Sequence, residues 1–324
     1  MSSHDQRLKI LVLEEHADAY AEFLQHLPDE IHYATRVPEE GAGYHAENDE
    51  EFEAAYDVLL AQPDLAADYL RGGGRVAWIQ SSWAGVRPLA EIVSDDAIIV
   101  SGIKELFGPQ IAEYVFAYIL EELRQPARYR EAQRNRRWQP AIQGTLAGRH
   151  MVVVGAGSIG RHIARTARMF GLRVTGVSRA GKACPEFDRV VATAHLHQAV
   201  SDADYVVAVL PDTDAARHVL DSRVFDAMTA RPMLINVGRG SSIHTQHLLQ
   251  ALREERVRAA VLDVFTTEPL PSHSPLWLEP RVSVTPHVAA VSYPRDIAAV
   301  FLANLERFRR GGELEYVVDL VRGY

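Results

Sequence analysis

Short apolar runs alternate with polar, helix-length segments along the first hundred residues of the chain. The run from Lys9 to Leu13 has the length of a strand, and we predict a helix from Ala17 to Leu27 after it. This alternation predicts a small α/β unit. Its further predicted strands are Ile31 to Ala34, Tyr56 to Ala61, Arg75 to Gln80 and Ala97 to Val100.

A second, longer alternation fills the other half of the chain. Strands that alternate with helices predict right-handed βαβ units and a parallel sheet with helices on both faces. Ligands bind such sheets at the carboxyl ends of the strands, so we expect the chemistry in the loops there. The predicted strands are Met151 to Val154, Leu172 to Val177, Tyr205 to Leu210, Met233 to Val237, Ala259 to Val264 and Arg281 to Thr285.

The segment between the two alternations carries a different pattern. From Ile111 to Leu123, apolar residues occur on nearly every helical face, which predicts a helix buried in a core or against a second subunit. The arginine-rich segment from Arg128 to Arg137, followed by Trp138, is predicted to be an exposed arm. Its charges indicate a solvated face or a subunit contact rather than a nucleic-acid site.

Composition narrows the class of protein. A chain of 324 residues is longer than a domain with a single hydrophobic core usually is, so two domains are expected. The net charge of -9 argues against a general nucleic-acid surface. A single cysteine, Cys184, excludes an internal disulfide framework and fits a reducing compartment. The chain shows neither a membrane-length apolar run nor the apolar core of a secretory signal, so we expect a cytoplasmic protein. We also expect no metal site.

The strand that starts at Met151 runs into a Gly-x-Gly-x-x-Gly turn and then into an amphipathic helix. Gly155 allows the tight turn, Gly157 lets backbone approach a pyrophosphate, and Gly160 permits close packing of helix on strand. The N-H groups of Ser158 and Ile159 at the helix start are expected to face the phosphates. The motif therefore predicts a dinucleotide-binding domain.

The end of the next predicted strand indicates which dinucleotide is used. An NAD-selective domain has an acidic residue there for the ribose hydroxyls, about twenty residues into the motif. Here the position is occupied by Ser178 and Arg179, and no acidic residue lies between Arg161 and Pro185. Because Arg179, Lys182 and the Ser178 hydroxyl can donate to a 2′-phosphate, we predict NADP(H), with NAD(H) as the alternative cofactor.

Three side chains at predicted strand ends have the chemistry of an active site. Arg239 lies between two glycines, where its guanidinium can bind a carboxylate through two hydrogen bonds. His287 follows a proline and can donate a proton near neutral pH, and Glu268 can orient that histidine. From these residues alone, a surface arginine, an ordinary histidine and a solvent-facing carboxylate remain open as interpretations.

In the first unit, the loop from Ser81 to Val86 follows an apolar strand and contains Gly85. Several of its backbone N-H groups can converge on an anion. An ordinary turn is an equally good interpretation of these residues.

The motifs GAGSIG, INVGRG, LDVFTTEPL, SPLW and RVSVTPHVAA together resemble those of D-isomer-specific 2-hydroxyacid dehydrogenases, in the same order and at similar intervals. The resemblance covers nearly the whole chain and is most specific from Met151 to Ala290. Within that family the sequence is similar to the bacterial glyoxylate/hydroxypyruvate reductase A branch, through RWQP, VSRAGK, SPLW, TPHVAA and the terminal RGY.

This resemblance implies two Rossmann-like or flavodoxin-like parallel-sheet domains with a cleft between them. Residues 1–102 and 292–324 would form the substrate domain and residues 103–291 the NAD(P)-binding domain, with hinges near Ser101 and Val291. It also implies a homodimer built on the predicted buried helix and the arginine-rich arm, in which Trp138 reaches the neighbouring active site.

The resemblance assigns roles to individual residues as well. Arg239, Glu268 and His287 correspond to the catalytic triad, and the amides of Ala84, Gly85 and Val86, with Arg239, to the site of the substrate carboxylate. Cofactor contacts are expected at Gly155, Gly157, Ser158, Ile159, Gly160, Ser178, Arg179, Lys182, Leu210, Pro211, Val237, Gly238, Asp263, His287 and Ala289.

The function implied is reduction of a small 2-oxo acid of the glyoxylate or hydroxypyruvate type to a 2-hydroxy acid by hydride transfer. One alternative is a dinucleotide-sensing interaction protein on the same fold. Another is a related enzyme such as a phosphoglycerate or formate dehydrogenase. Arg87 departs from the acidic residue that many members have after the Gly-Val pair, which leaves the choice of substrate open.

Overall fold

The computed structural model describes residues 7–35, 55–93 and 98–320. The chain divides into two compact units, which are described separately. Unit 1 comprises Met1–Leu106 and Ser292–Tyr324, and unit 2 comprises Phe107–Val291. Of the sequence features above, Ala97 and the terminal RGY lie outside the described residues.

Unit 1 contains a five-stranded parallel sheet in the order β2-β1-β3-β4-β5. Strand β1 lies between β2 and β3, and its residues Ile10 to Leu13 are all buried. The sheet is built of short, β-branched or leucine-rich runs, as buried parallel strands generally are. The strands are β1 (Lys9–Leu13), β2 (Glu30–Ala34), β3 (Val58–Ala61), β4 (Trp78–Ser81) and β5 (Ile99–Ser101).

The helices of unit 1 cover this sheet. The last of them lies in Ser292–Tyr324, the part of the chain that returns to unit 1 after unit 2. The ring of its Phe301 stacks on the ring of Trp78 at a centroid distance of 5.5 Å. Its Asn304 donates a hydrogen bond from Nδ2 to Oε1 of Gln80 at 3.0 Å. The helices are α1 (Ala21–Leu24), α2 (Pro63–Arg71), α3 (Arg87–Ala90) and α10 (Pro294–Arg309).

The helix predicted from Ala17 to Leu27 is much shorter in the structure. A 3₁₀ turn covers Ala17–Tyr20, and α1 ends at Leu24. Pro28 disfavours helical geometry in the residue before it. The carboxylate of Asp29, one residue further on, accepts a hydrogen bond from the N-H of Leu8 at 3.0 Å and thereby fixes the turn into β2.

Unit 2 contains a seven-stranded parallel sheet in the order β12-β11-β10-β9-β6-β7-β8. Six of its strands match the predicted strands to within two residues at each end. Strand β8 was not predicted, because its run of apolar residues is short and starts with an arginine. The strands are β6 (His150–Val154), β7 (Arg173–Ser178), β8 (Arg189–Ala192), β9 (Tyr205–Ala208), β10 (Met233–Asn236), β11 (Ala259–Leu262) and β12 (Val282–Val284).

The helices of unit 2 include the predicted buried helix and a helix within the predicted arm. They are α4 (Phe107–Arg124), α5 (Pro126–Arg134), α6 (Ser158–Met169), α7 (Leu196–Ala199), α8 (Ser222–Asp226) and α9 (Thr245–Arg253). None of the helices in the described part of the chain is long and apolar enough to cross a membrane.

Helix α4 buries one face rather than all of them. Ile111, Val115 and Ile119 are buried, whereas Glu113 and Ala117 on the opposite side are exposed. Of the two predicted settings for this helix, the core of one chain accounts only for its buried face, and burial of the other face against a second subunit stays a prediction. Alanine and tyrosine on the outer face count as apolar residues but also occupy exposed helical positions.

Candidate active site

The glycine turn after β6 has the backbone geometry that a dinucleotide site needs. Gly155 has φ of +118°, and a Cβ atom there would lie 2.3 Å from the carbonyl oxygen of Val209. A Cβ on Gly160 would lie 2.0 Å from the carbonyl oxygen of Gly155, which explains the close approach of α6 to the strand. Gly157, by contrast, faces open space.

Helix α6 begins at Ser158, directly after that open position. The first N-H groups of a helix have no acceptor within the helix, and the helix dipole makes this end attractive to an anion. The residues present therefore fit the pyrophosphate of a dinucleotide.

The end of β7 presents positive charge. Arg179 and Lys182 are exposed there, and the Ser178 hydroxyl accepts a hydrogen bond from the N-H of Gly181 at 3.2 Å. That bond leaves the Ser178 hydroxyl proton available to donate. Gly181 has φ of +64°, the left-handed conformation that glycine adopts readily, and a Cβ atom there would lie 2.7 Å from the N atom of Ala192. The arrangement fits a phosphate on the ribose.

Arg239 lies after β10 in a segment that is fixed on both sides. A Cβ on Gly238 would lie 2.5 Å from the N atom of Leu210, and one on Gly240 would lie 1.9 Å from the carbonyl carbon of Phe265. The two glycines thus allow three loops of the sheet to meet around one arginine. The predicted cofactor residues Leu210, Pro211, Val237 and Gly238 all lie in these meeting loops.

The Arg239 guanidinium is largely buried. Burial lowers its pKa, and the carboxylates of Asp212 and Glu268 act in the opposite direction. The Arg239 carbonyl accepts hydrogen bonds from the Asn236 side chain at 3.1 Å and the Ser242 hydroxyl at 2.7 Å. Sequence reasoning did not single out Asn236, Ser242 or Asp212, because a polar side chain near a strand end has no distinctive pattern.

His287 and Glu268 are hydrogen-bonded partners. Nδ1 of His287 lies 2.9 Å from Oε2 of Glu268, and Oε1 of Glu268 accepts the N-H of Phe265 at 2.7 Å. Burial by itself raises the pKa of Glu268, but the hydrogen bonds from His287 and Phe265 and the charges of His287 and Arg239 outweigh it. The pKa of Glu268 is therefore lowered, and its carboxylate faces the histidine in the ionised form.

Asp263 fixes the segment that carries His287. Its carboxylate, only 1% exposed, accepts hydrogen bonds from the Thr285 hydroxyl at 2.7 Å and from the N-H groups of Val288 and Ala289 at 2.8 and 2.9 Å. The His287 N-H in turn donates to the Asp263 carbonyl at 2.9 Å. His287 has φ of +54°, a conformation that these bonds maintain. In the structure, the Asp263 carboxylate thus positions this segment, and its predicted contact with a cofactor stays a prediction.

Helix α4 holds the same segment from the other side. The Gln110 side chain accepts the N-H of Val291 at 2.9 Å and donates to the Val291 carbonyl at 3.0 Å. The Tyr114 hydroxyl lies 2.6 Å from the Thr285 hydroxyl, so a chain of hydrogen bonds runs from α4 to Asp263. Neither Gln110 nor Tyr114 was predicted, because each lies more than 170 residues away from its partner in the sequence.

The loop between β4 and α3, in unit 1, contains Ala84, Gly85 and Val86. Within the described residues, their three N-H groups donate no hydrogen bond. The start of the loop is fixed, because the Ser81 hydroxyl donates to the Trp83 carbonyl at 2.8 Å and accepts the Trp83 N-H at 3.1 Å. Three adjacent unpaired amides suit an anion such as a carboxylate.

Comparisons with known proteins agree with this architecture. The family model for the NAD binding domain of D-isomer specific 2-hydroxyacid dehydrogenases matches residues 116–289. A glyoxylate/hydroxypyruvate reductase A of Yersinia enterocolitica is 33% identical over 215 residues, which cover 66% of this chain and 69% of that protein.

Two solved structures extend the similarity over nearly the whole chain. A D-isomer specific 2-hydroxyacid dehydrogenase family protein from Aeromonas salmonicida has a TM-score of 0.85 at 35% identity, covering 97% of this chain and 100% of its own. An NADPH-dependent glyoxylate/hydroxypyruvate reductase from Sinorhizobium meliloti, solved with NADP and sulfate, has a TM-score of 0.82 at 25% identity, with 98% and 100% covered.

The chain combines two parallel β-sheets, a glycine turn suited to a dinucleotide and a histidine paired with a glutamate. Together these features are those of a nicotinamide-dependent dehydrogenase. The chain belongs to the D-isomer-specific 2-hydroxyacid dehydrogenase family. Within the family it lies in the glyoxylate/hydroxypyruvate reductase A branch.

Proposed function

We propose that this protein reduces small 2-oxo acids of the glyoxylate and hydroxypyruvate type to 2-hydroxy acids, with NADPH preferred over NADH. The observation that carries the proposal is the pair formed by His287 and Glu268, which lies at the carboxyl ends of β11 and β12 and acts electrostatically on Arg239. A proton donor and a cation are the two groups that a carbonyl oxygen needs as it gains negative charge.

Each group of this site has a distinct proposed role. The bound nicotinamide supplies the hydride that reduces the carbonyl carbon. His287, as the imidazolium, donates its proton to the carbonyl oxygen, and Glu268 keeps the ring oriented for that transfer. Arg239 stabilises the developing negative charge and binds the substrate carboxylate.

The remaining site residues are proposed for binding. The amides of Ala84, Gly85 and Val86 bind the substrate carboxylate, as the family resemblance implies. The predicted cofactor residues hold the dinucleotide, with the first amides of α6 on the pyrophosphate.

The preference for NADPH rests on charge at the end of β7. An acidic residue there would repel a 2′-phosphate, whereas Arg179 and Lys182 attract it. The relative from Sinorhizobium meliloti is described as NADPH-dependent, which supports the same preference.

The test is initial-rate kinetics of the purified protein with glyoxylate, hydroxypyruvate, pyruvate and bulkier 2-oxo acids, each with NADPH and with NADH. The proposal expects the highest kcat/KM for glyoxylate or hydroxypyruvate with NADPH. Tight NADPH binding without reduction of any 2-oxo acid would instead indicate a dinucleotide-sensing protein. Selectivity for a phosphorylated substrate would indicate a related dehydrogenase.

We also propose a homodimer formed by the outer face of α4 together with the segment after it. Trp138 and Ile142 in that segment are almost fully exposed, and Trp138 is 96% exposed. Large apolar side chains in such a position are typical of a surface that a partner covers. By family resemblance, Trp138 then reaches the neighbouring active site.

A further inference from the structure

A buried acid lies at the carboxyl end of the central strand of unit 1. Glu14 directly follows β1 and is only 6% exposed. Its Oε1 atom has no hydrogen-bond partner among the described residues. A buried, unpartnered carboxyl oxygen costs free energy, so it calls for an explanation that the roles assigned above do not provide.

The position of Glu14 in the sheet is a place where ligands commonly bind. Strand β2 lies beside β1 on one side, and β3 lies beside β1 on the other. The direction in which successive strands are added to the sheet therefore reverses between β1 and β3. In open parallel sheets, the crevice at such a reversal is where ligands bind. Glu14 follows β1 and Gln62 follows β3, one on each side of this crevice.

The neighbours of Glu14 are polar or negatively charged. The side chains of Ser82 and Gln62 approach its carboxyl group, and the negative charges of Asp64 and Glu15 act on it. Tyr20, from the turn before α1, faces it as well. The charged groups of the described residues that act most on Glu14 are the carboxylates of Asp64 and Glu15. A carboxylate in this environment would be poorly stabilised.

The protonation of Glu14 follows from these neighbours. Burial raises the pKa of Glu14 from its ordinary 4.5 to about 7, and the charges of Asp64 and Glu15 add to the rise. The nearby polar side chains of Ser82 and Gln62 act in the opposite direction and offset only part of the rise. The side chain therefore changes charge within the neutral pH range.

Ser82 connects this acid to the loop that is proposed to bind the substrate carboxylate. Its side chain is completely buried, and its Oγ atom has no hydrogen-bond partner among the described residues. Its N-H donates to the Ala61 carbonyl at 3.0 Å, and its carbonyl accepts the Ser292 hydroxyl at 2.8 Å. Ser82 is thus a fixed point from which Trp83 to Val86 extend.

We propose that Glu14 is a positioning residue for the loop from Ser82 to Val86, and that the loop binds anionic substrate well only while Glu14 is a neutral acid. When Glu14 ionises, the carboxylate recruits the Ser82 hydroxyl and places a negative charge beside the amides that receive the substrate carboxylate. This inference rests on the proposed function of those amides.

The first test measures KM for glyoxylate and hydroxypyruvate from pH 5.5 to 9 at saturating NADPH. In the wild type, KM should rise roughly ten-fold as the pH passes the neutral range, which is the size of one hydrogen bond to a charged group. Glu14→Gln, which mimics the neutral acid, should lose this component of the profile and keep its kcat. Glu22→Gln is the matched control, because Glu22 is an exposed carboxylate of α1 in the same unit, and it should keep the wild-type profile.

The second test needs no substrate. Trp83, at the start of the loop, is 39% exposed, so its fluorescence should report a change of loop structure during a pH titration. The wild type should show a transition near pH 7 that is absent from Glu14→Gln and from Trp83→Phe. Ser82→Ala should move the transition to higher pH, because the Ser82 hydroxyl lowers the pKa of Glu14.

The two tests separate this inference from the proposed function. If no 2-oxo acid is reduced but the fluorescence transition depends on Glu14, the proposed function is lost and the coupling of Glu14 to the loop stands. If reduction occurs and the KM profile of Glu14→Gln matches that of the wild type, the positioning role is overturned. A fluorescence transition that persists unchanged in Glu14→Gln also overturns it.

Discussion

Oε2 of Glu268 lies 2.9 Å from Nδ1 of His287, while Oε1 of the same carboxylate accepts the backbone N-H of Phe265. One carboxylate therefore fixes the histidine ring relative to the loop that packs against Gly240, next to Arg239. Since the pKa of Glu268 is lowered, the carboxylate stays ionised throughout the neutral range. Its contribution to stability is present above its ordinary pKa and is lost only as the pH falls through the lowered value.

Replacement of either partner should affect catalysis in a different way. His287→Ala removes the proton donor and should lower kcat by roughly a hundred-fold to ten-thousand-fold. Glu268→Gln keeps a hydrogen-bonding group but removes the charge, so kcat should fall by about ten-fold to a hundred-fold.

The measurement is kcat for NADPH-dependent reduction in the wild type and both variants, with NADPH binding measured separately. NADPH binding should survive both substitutions. An unchanged kcat in Glu268→Gln would show that the hydrogen bond has no catalytic role.

Arg179→Ala should weaken the use of NADPH specifically. Loss of a charge-assisted hydrogen bond to the 2′-phosphate should raise KM for NADPH by about ten-fold and leave KM for NADH nearly unchanged. Arg256→Ala is a suitable control, since Arg256 is an exposed arginine of the same unit outside the predicted site. Equal losses with both cofactors would place Arg179 outside the ribose-phosphate site.

Two glycines of unit 2 offer a matched comparison of fold and function. Gly240→Ala would place a Cβ atom 1.9 Å from the Phe265 carbonyl carbon, and it should cost about 3 kcal/mol of unfolding free energy or more. Gly157→Ala meets open space and should leave the unfolding free energy nearly unchanged while it weakens cofactor binding. Chemical denaturation and fluorescence titration with NADPH measure the two effects. Equal stability of both variants would contradict the close packing of the loops.

The sequence predicted those features that depend on short-range patterns. The glycine turn, the parallel strands of unit 2 and the chemistry of Arg239, Glu268 and His287 are all encoded within a few neighbouring residues. The family resemblance then united the three side chains into one predicted site. Their hydrogen-bonded pairing, seen in the structure for His287 and Glu268, agrees with that prediction.

Other features depend on contacts between distant segments, which the pattern of a single sequence does not contain. The Gln110 side chain forms hydrogen bonds with both the N-H and the carbonyl of Val291, 181 residues away in the sequence. A glutamine on a helix gives no sign of such a role. The sequence pattern also left open whether the outer face of α4 is buried in one chain or against a second subunit, since burial of a helical face depends on what packs there. A glutamate directly after a strand gives no sign of burial either, and the burial of Glu14 emerges only from the fold of unit 1.

Gln110→Ala should loosen the segment that carries His287. The substitution removes two hydrogen bonds to the Val291 backbone, so unfolding free energy should fall by about 1 to 3 kcal/mol and kcat should fall with it. Gln133→Ala, at an exposed position of α5, is the control and should change neither quantity. Unchanged kcat in a folded Gln110→Ala variant would limit Gln110 to a structural role.

The exposed apolar segment after α5 leads to a prediction about assembly. If two copies pair through this segment and the outer face of α4, light scattering at micromolar concentration should give twice the chain mass of 36.1 kDa. Trp138→Ala should weaken the pairing by roughly 2 kcal/mol or more, because exposed tryptophans that become buried at an interface often dominate its affinity. Trp277→Ala is the control, since Trp277 is an exposed tryptophan, at 51%, elsewhere in unit 2. A wild-type protein that scatters as a single chain would end the dimer proposal, and a wild-type dimer that Trp138→Ala leaves intact would move the interface away from this segment.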